Sequence, residues 1–339
     1  LKPIFSTLIE DGYDAALLVQ DYPPPHLDAD RHLYQADARA FIQATQQAGI
    51  PGAVCSSLPE NLDSSIQAFL ISNQTAPLQG IGESVQALSA AATFGRQRAR
   101  HLAQSGPTAI QITGCPKGTV TLDEWQGKQH LANAGIEVPA GELIDAAEAA
   151  NAAGRLGYPV VLKLVSTDLP HKTEAGAVLL QLESAAAVAE AAATLQRAAR
   201  ETAVSVPARC LLVEQMVTHP IAELLVGVRN DPQFGHTLTL ASGGILAELV
   251  SDSATLLLPA RREEVAEALH SLRIAALIGG YRKRQAADPE RVLDTLCAVI
   301  SFAAGLGAGL DELEINPLMI TSSGCIAADV LLRVEENTL

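Results

Sequence analysis

Between residues 160 and 258, six strand-length apolar runs crowd together with a single helix-length segment among them. The runs are 160–165, 178–182, 210–215, 224–229, 237–241 and 255–258, and the helix is 184–199. A doubly wound parallel sheet needs a crossover helix between most of its strands. This rhythm excludes one. It predicts an α+β body of two lobes, each with an antiparallel sheet. Upstream, Thr121-Leu-Asp-Glu124 reads as a capping box opening a helix to Ala134, with Gly135 as its stop, and 145–156 as an alanine-rich helix. Downstream come helices at 262–269 and 289–304, then a final strand pair at 313–320 and 326–331.

The first 103 residues have a different rhythm. Strands at 15–19 and 51–54 alternate with helices at 36–48, 64–72 and 84–101, which predicts a parallel sheet with helices on its faces. Residues 104–118, with three glycines and two prolines, read as a linker, and 119–336 as the second domain.

The net charge of −15 argues against nucleic acid and against an anionic membrane surface as partners, because both need a basic field. Local lysines and metal ions still allow a polyanionic small molecule. The five cysteines are scattered without a Cys-x-x-Cys pair, which fits reduced thiols in a cytoplasmic protein. No apolar run is expected to approach the roughly 20 residues of a membrane span. A start at Leu1 rather than Met reads as a piece of something longer.

Gly157-Tyr-Pro-Val-Val-Leu-Lys163 feeds a strand that ends its polar business at a lysine, and His171-Lys172-Thr-Glu-Ala-Gly176 follows in a polar loop. Two lysines and a glycine-bearing loop suit the phosphates of a nucleotide triphosphate. The competing reading of Lys163 is a strand-end lysine reaching solvent, and of the loop an ordinary connection. His171 could accept a phosphoryl group, orient one, or bond within its loop. Val213-Glu214-Gln215-Met216 could offer backbone groups to an adenine edge, with Glu223 accepting ribose hydroxyls; both carboxylates could equally be solvated strand ends. Glu314-Ile-Asn316 alternates, so Glu314 and Asn316 share a face, and Asp329 is placed on the neighbouring strand. Hard oxygen donors in that arrangement suit Mg²⁺, which keeps waters and shares phosphate oxygens.

These motifs, in this order, resemble the ATP-grasp domain of the NDP-forming acyl-CoA synthetases, the superfamily of succinyl-CoA synthetase and the ADP-forming acetyl-CoA synthetases. Asp231-Pro-Gln-Phe-Gly235, Gly243-Gly244 with Glu248, Gly280-Tyr-Arg282 and Leu313-Glu-Ile-Asn-Pro317 add to the likeness, which covers about residues 119–334. Residues 1–103, with Gly80-Ile-Gly-Glu-Ser84, resemble the flavodoxin-like ligase domain that precedes ATP-grasp in single-chain members. The resemblance implies the reaction of acid, CoA and ATP to acyl-CoA, ADP and phosphate, through an acyl phosphate and a phosphohistidine. Lys163, Lys172 and Gly176 would then hold phosphates, Glu214, Gln215 and Met216 the adenine, Glu223 the ribose, and Asn316, Asp329 and Glu314 the Mg²⁺. His171 and Lys172 would be the catalytic pair, His171 as a second phosphoryl acceptor near the nucleotide. The CoA-binding and main phosphohistidine domains would be supplied in cis or in trans, in an oligomer. The rival readings are an ATP-grasp ligase or kinase acting through a direct acyl phosphate, and a non-catalytic, ligand-sensing ligase-like module of an acyltransferase. Four positions depart from the family pattern: Ala177 where a second glycine is usual, Lys283 in place of glycine, and Val330-Leu331 in place of Ala-Arg.

Overall fold

A computed structural model of the chain describes residues 1–10, 12–23, 31–103, 114, 116–166, 176–201, 210–243, 252–283 and 285–338. The chain divides into two compact units, Leu1–Pro107 and Thr108–Leu339. Most of the expected linker, and the loop with His171 and Lys172, lie outside the described residues, as do Gly244, Glu248 and Cys115.

In the first unit, β1 (Ala16–Val19), β2 (Gly52–Ser56) and β3 (Ala76–Gln79) pair in parallel in that order. Four helices accompany them: α1 (Lys2–Ile9), α2 (Arg31–Ala48), α3 (Ser64–Ser72) and α4 (Ile81–Ala103). Tyr22, Phe41, Ile42, Val54, Leu62, Ile66 and Leu70 make its core. Helix α3 begins where Asp63 accepts hydrogen bonds from the N–H groups of Ser65 and Ile66, the usual device for the orphan donors of a first turn.

The second unit holds two antiparallel sheets, as the crowding of strands predicted. The smaller contains β5 (Gly141–Ile144), β6 (Val160–Leu164), β7 (Val178–Leu182) and β8 (Leu211–Gln215), in the order β5-β8-β6-β7. Its core packs against α6 (Ala149–Leu156) and α7 (Ala185–Glu201). The larger is seven-stranded and runs β11 (Ser253–Leu257), β10 (Gly235–Ser242), β9 (Ala222–Asp231), β12 (Leu310–Ile320), β14 (Val330–Glu335) and β4 (Thr119–Leu122), with β13 (Cys325–Ala327) beside β12. Leu224, Val226 and Val228 alternate inward on β9, as Leu313 and Ile315 do on β12. Each such side chain contributes about 1.5–3 kcal/mol of burial. Among the described residues, helices α5 (Glu124–Asn133), α8 (Arg262–Ser271), α9 (Ala275–Ile278) and α10 (Pro289–Leu306) also belong to this lobe.

Three sequence expectations need correction here. The capping box is formed by Asp123 and Gln126, because Thr121 already belongs to β4 and Glu124 is buried. The strand expected at 326–331 breaks at Ala328-Asp329 into β13 and β14, so Asp329 sits at the break and not on a strand. Residues 289–309 are long and apolar enough to cross a membrane by length and composition, against the expectation that no run is. Within this fold Val292, Leu293, Leu296, Val299 and Ala303 of that helix are buried in the large-lobe core.

Candidate functional site

Strand alternation decides where Lys163 points. Leu162 and Leu164 enter the core under α6 and α7, so Lys163 faces the other way, toward the larger sheet. There it is 6% exposed. Its ammonium reaches Glu124 Oε1 at 2.6 Å, Glu214 Oε2 at 3.0 Å and the carbonyl of Ala328 at 2.7 Å. Three acceptors match the three N–H groups of an ammonium. It is not a strand-end lysine in solvent.

A second lysine closes the figure. Lys128 contacts Glu124 Oε1 at 2.8 Å and Glu214 Oε1 more closely still. Both carboxylates are 2% exposed and Lys128 is 1% exposed, so two cations and two anions form a buried ionic square. Burial, then the like charge of Lys163, pulls Lys128 below its ordinary range despite both carboxylates. Burial works the same way on Lys163, but Glu124, Glu214 and Asp329 outweigh it and hold its ammonium above the usual value.

Two glycines let the square close. Gly127 lies between Glu124 and Lys128 on α5, and a Cβ there would stand 2.9 Å from Val330 Cγ1. Its absence lets α5 lie directly on β14. Gly141 is paired with Glu214 across β5 and β8, and a Cβ there would meet Glu214 Cγ and the Val213 carbonyl, each at 2.9 Å.

The predicted metal residues meet at the same place. Asn316 N–H donates to the Asp329 carbonyl at 3.2 Å, one residue from the carbonyl that Lys163 holds. Asn316 is exposed, and its side chain donates to Glu314 Oε1 at 3.3 Å. Asp329 Oδ1 accepts from Val330 N–H at 2.8 Å. Among the described residues no three His, Cys, Asp or Glu side chains form a metal cluster. One amide and two carboxylates are therefore a partial set of hard oxygen donors, suited to an ion that takes further ligands from water or phosphate. On the outer face of the sheet, Leu225, Gly227, Arg229, Thr239, Glu312 and Glu314 line a groove. Thr239, Gly227 and Glu314 stand side by side across three strands.

The other predicted residues are less drawn in. The N–H groups of Gln215 and Met216 already donate to the carbonyls of Ala140 and Pro159, at 2.8 and 3.1 Å. The Glu214 side chain belongs to the square. Glu223 lies at the start of β9, and its carbonyl accepts from Gly243 N–H at 2.7 Å. Gly176 has φ +65°, which favours glycine. The departure at Ala177 is absorbed by packing, since this residue is buried in the small-lobe core. Among the described residues Cys55, Cys210, Cys297 and Cys325 are free thiols. Sequence reasoning missed Glu124 and Lys128, although the glycine between them was a signal. A mid-helix glycine is costly and marks a close approach.

Comparison with known proteins places the second unit of the chain. A family profile described as an ATP-grasp domain matches residues 115–334. Trans-feruloyl-CoA synthase from an unknown prokaryotic organism is 30% identical over 239 residues, which is 70% of this chain and 34% of that protein. The beta subunit of acetate–CoA ligase (ADP-forming) II from Pyrococcus furiosus is 28% identical over 219 residues, 64% of this chain and 92% of the subunit. The chain thus spans about a third of the length of the first relative and nearly all of the second. A solved structure of the dinucleotide forming acetyl-coenzyme A synthetase 1 of Ca. Korarchaeum cryptofilum, in complex with coenzyme A, Ca-AMPCP and HgCl⁺, aligns with TM-score 0.59 and 25% identity. That match covers 63% of this chain and 93% of the other. A second structure of that enzyme carries coenzyme A and Mg-AMPPCP, with its phosphohistidine segment pointing towards the nucleotide binding site. It aligns with TM-score 0.54 and 26% identity over 63% and 92% of the two chains.

Proposed function

The chain belongs to the ATP-grasp family over residues 115–334, and from that premise we propose that it is the MgATP-binding part of an ADP-forming acid–thiol ligase. The observation that carries this reading is the meeting of Lys163 with Ala328-Asp329 between the two antiparallel sheets. It brings a cation against the turn that carries Asp329, whose carbonyl in turn accepts from Asn316 N–H. Lys163, with Lys172 and Gly176, holds nucleotide phosphates, and Asn316, Asp329 and Glu314 supply oxygens to Mg²⁺. The Gln215–Met216 stretch and Glu223 line the nucleoside. With its N–H groups bonded within the protein, the Gln215–Met216 segment offers carbonyl oxygens to the amino edge of the base. Around the reacting phosphate the protein contributes chiefly charge neutralisation and positioning.

His171, eight residues beyond Lys163, is the phosphoryl acceptor in this reading. Its ring nitrogen attacks the γ-phosphorus, the bond to the β-bridging oxygen breaks, and ADP leaves. The phosphoryl group passes to a carboxylate as an acyl phosphate, from which the thiol of CoA displaces phosphate. The first unit acts as a flavodoxin-like ligase domain joined through residues 104–118. CoA-binding and phosphohistidine domains join it in cis or in trans. The Pyrococcus furiosus relative, by name an ADP-forming ligase of acetate and CoA, supports the reaction class.

Calorimetry with AMPPCP, with and without Mg²⁺, tests the binding half: saturable, Mg²⁺-tightened binding is expected. No binding by the full chain would sink the reading. For the relay, γ-labelled ATP should leave acid-labile label on the protein, and His171→Ala should remove that label while AMPPCP still binds.

A further inference from the structure

The ionic square contains one lysine more than phosphate binding requires. Lys163 in this arrangement gives its three N–H groups to Glu124, Glu214 and the Ala328 carbonyl. To reach a phosphate oxygen it must release at least one of them. Both carboxylates are buried, and a buried carboxylate left without a cation is strongly destabilised. With Lys163 as their sole partner, two such groups would pin it in place.

Lys128 changes that balance. It contacts Glu124 Oε1 at 2.8 Å and Glu214 Oε1, while Lys163 uses Glu214 Oε2. When Lys163 turns away, both carboxylates therefore keep an ammonium. The position of Lys128 is fixed from below, because Gly127 seats α5 on β14 and Gly141 gives Glu214 its room. Stability alone is a weak reason to bury four charges, since well-packed apolar residues commonly serve as well or better.

We propose that Lys128 is a positioning residue for nucleotide binding, holding Glu124 and Glu214 so that Lys163 is free to exchange a carboxylate for a phosphate. This rests on the nucleotide reading above. The exchange gives two substitutions opposite signs. Lys128→Met leaves two carboxylates on Lys163 and tightens their grip. Glu124→Gln removes one of them and loosens it.

The test is the calorimetric affinity of the full chain for Mg·AMPPCP, for the parent, each single variant and the double variant. Lys128→Met is expected to bind about tenfold more weakly and Glu124→Gln up to about threefold more tightly, on the scale of a shift between a held and a released lysine. The double variant, neutral again, should return to within about threefold of the parent. Parent-like binding by Lys128→Met, or weakening by Glu124→Gln equal to that of Lys128→Met, overturns the proposal. A merely structural square predicts that second pattern. Should Lys128→Met fail to fold, Glu124→Gln and the double variant decide by the same signs. A parent chain that binds no nucleotide overturns the nucleotide reading itself, an outcome that involves no variant.

Discussion

Lys163 and Asn316 stand at the two ends of the proposed nucleotide site and are held on opposite terms. Lys163 is 6% exposed, with an oxygen for every N–H group it has. Asn316 is exposed, fastened by its backbone to Asp329, and its side chain makes a long contact to Glu314. One end is complete before any ligand arrives, and the other offers oxygens that a ligand can complete. A completed end resists change, so binding there must proceed by exchange of partners. An open end binds by addition. The difference separates a residue that costs stability when removed from one that costs mostly affinity.

Lys163→Met should break the comparison most sharply. It leaves the square with one cation, Lys128, for its two buried carboxylates, and a loss of about 3–5 kcal/mol in denaturant unfolding is expected, the scale for breaking a buried pair. Asn316→Ala should move the same measurement by no more than about 0.5 kcal/mol, as for most exposed substitutions. If the two cost the same, the ends are not built differently. Combining Asn316→Ala with Asp329→Ala should remove the Mg²⁺-dependent part of nucleotide affinity, at least about tenfold, or about 1.4 kcal/mol. Tightening by Mg²⁺ that survives both changes would move the metal elsewhere.

A further small effect lies in the first unit and serves as a control for the charged square. Burial works to raise the Asp63 carboxyl, but the Ser65 hydroxyl, the Arg31 guanidinium and two backbone N–H groups outweigh it and hold it at about 2. A folded value below the unfolded value of about 3.9 means stability that is present above that pH and lost as pH falls toward 2. The site is partly exposed, so about 1 kcal/mol or less is expected. Asp63→Asn should keep the cap but flatten this stretch of the acid titration. An unchanged slope would remove Asp63 from the account.

What was legible in the sequence follows the same division. Glu314 and Asn316 sit on a strand whose alternation is plain, so their face could be read from spacing, whereas Lys163 lies in a strand buried along its whole length and only its place in the strand was legible. Glu124 and Lys128 are spaced like a solvated surface pair on a helix, and Glu124 also suited a capping box. Their burial depends on Val330, two hundred residues away in sequence, meeting Gly127. No local pattern carries that. Strand β3 was missed because Pro77 argues against a strand of four residues, and β5 because it is a short strand at the sheet edge. The break at Ala328-Asp329 was hidden within one apolar run.

Helix α5 has a practical consequence for recombining such enzymes. Leu131 anchors it in the large-lobe core, yet Glu124 and Lys128 serve strands β6 and β8 of the other lobe. A chimera cut at the visible sheet boundaries would splice the small lobe to a foreign helix and a foreign Ala328-Asp329. The exchangeable cassette is the small sheet together with α5 and that two-residue turn, three pieces scattered along the chain but inherited as one part.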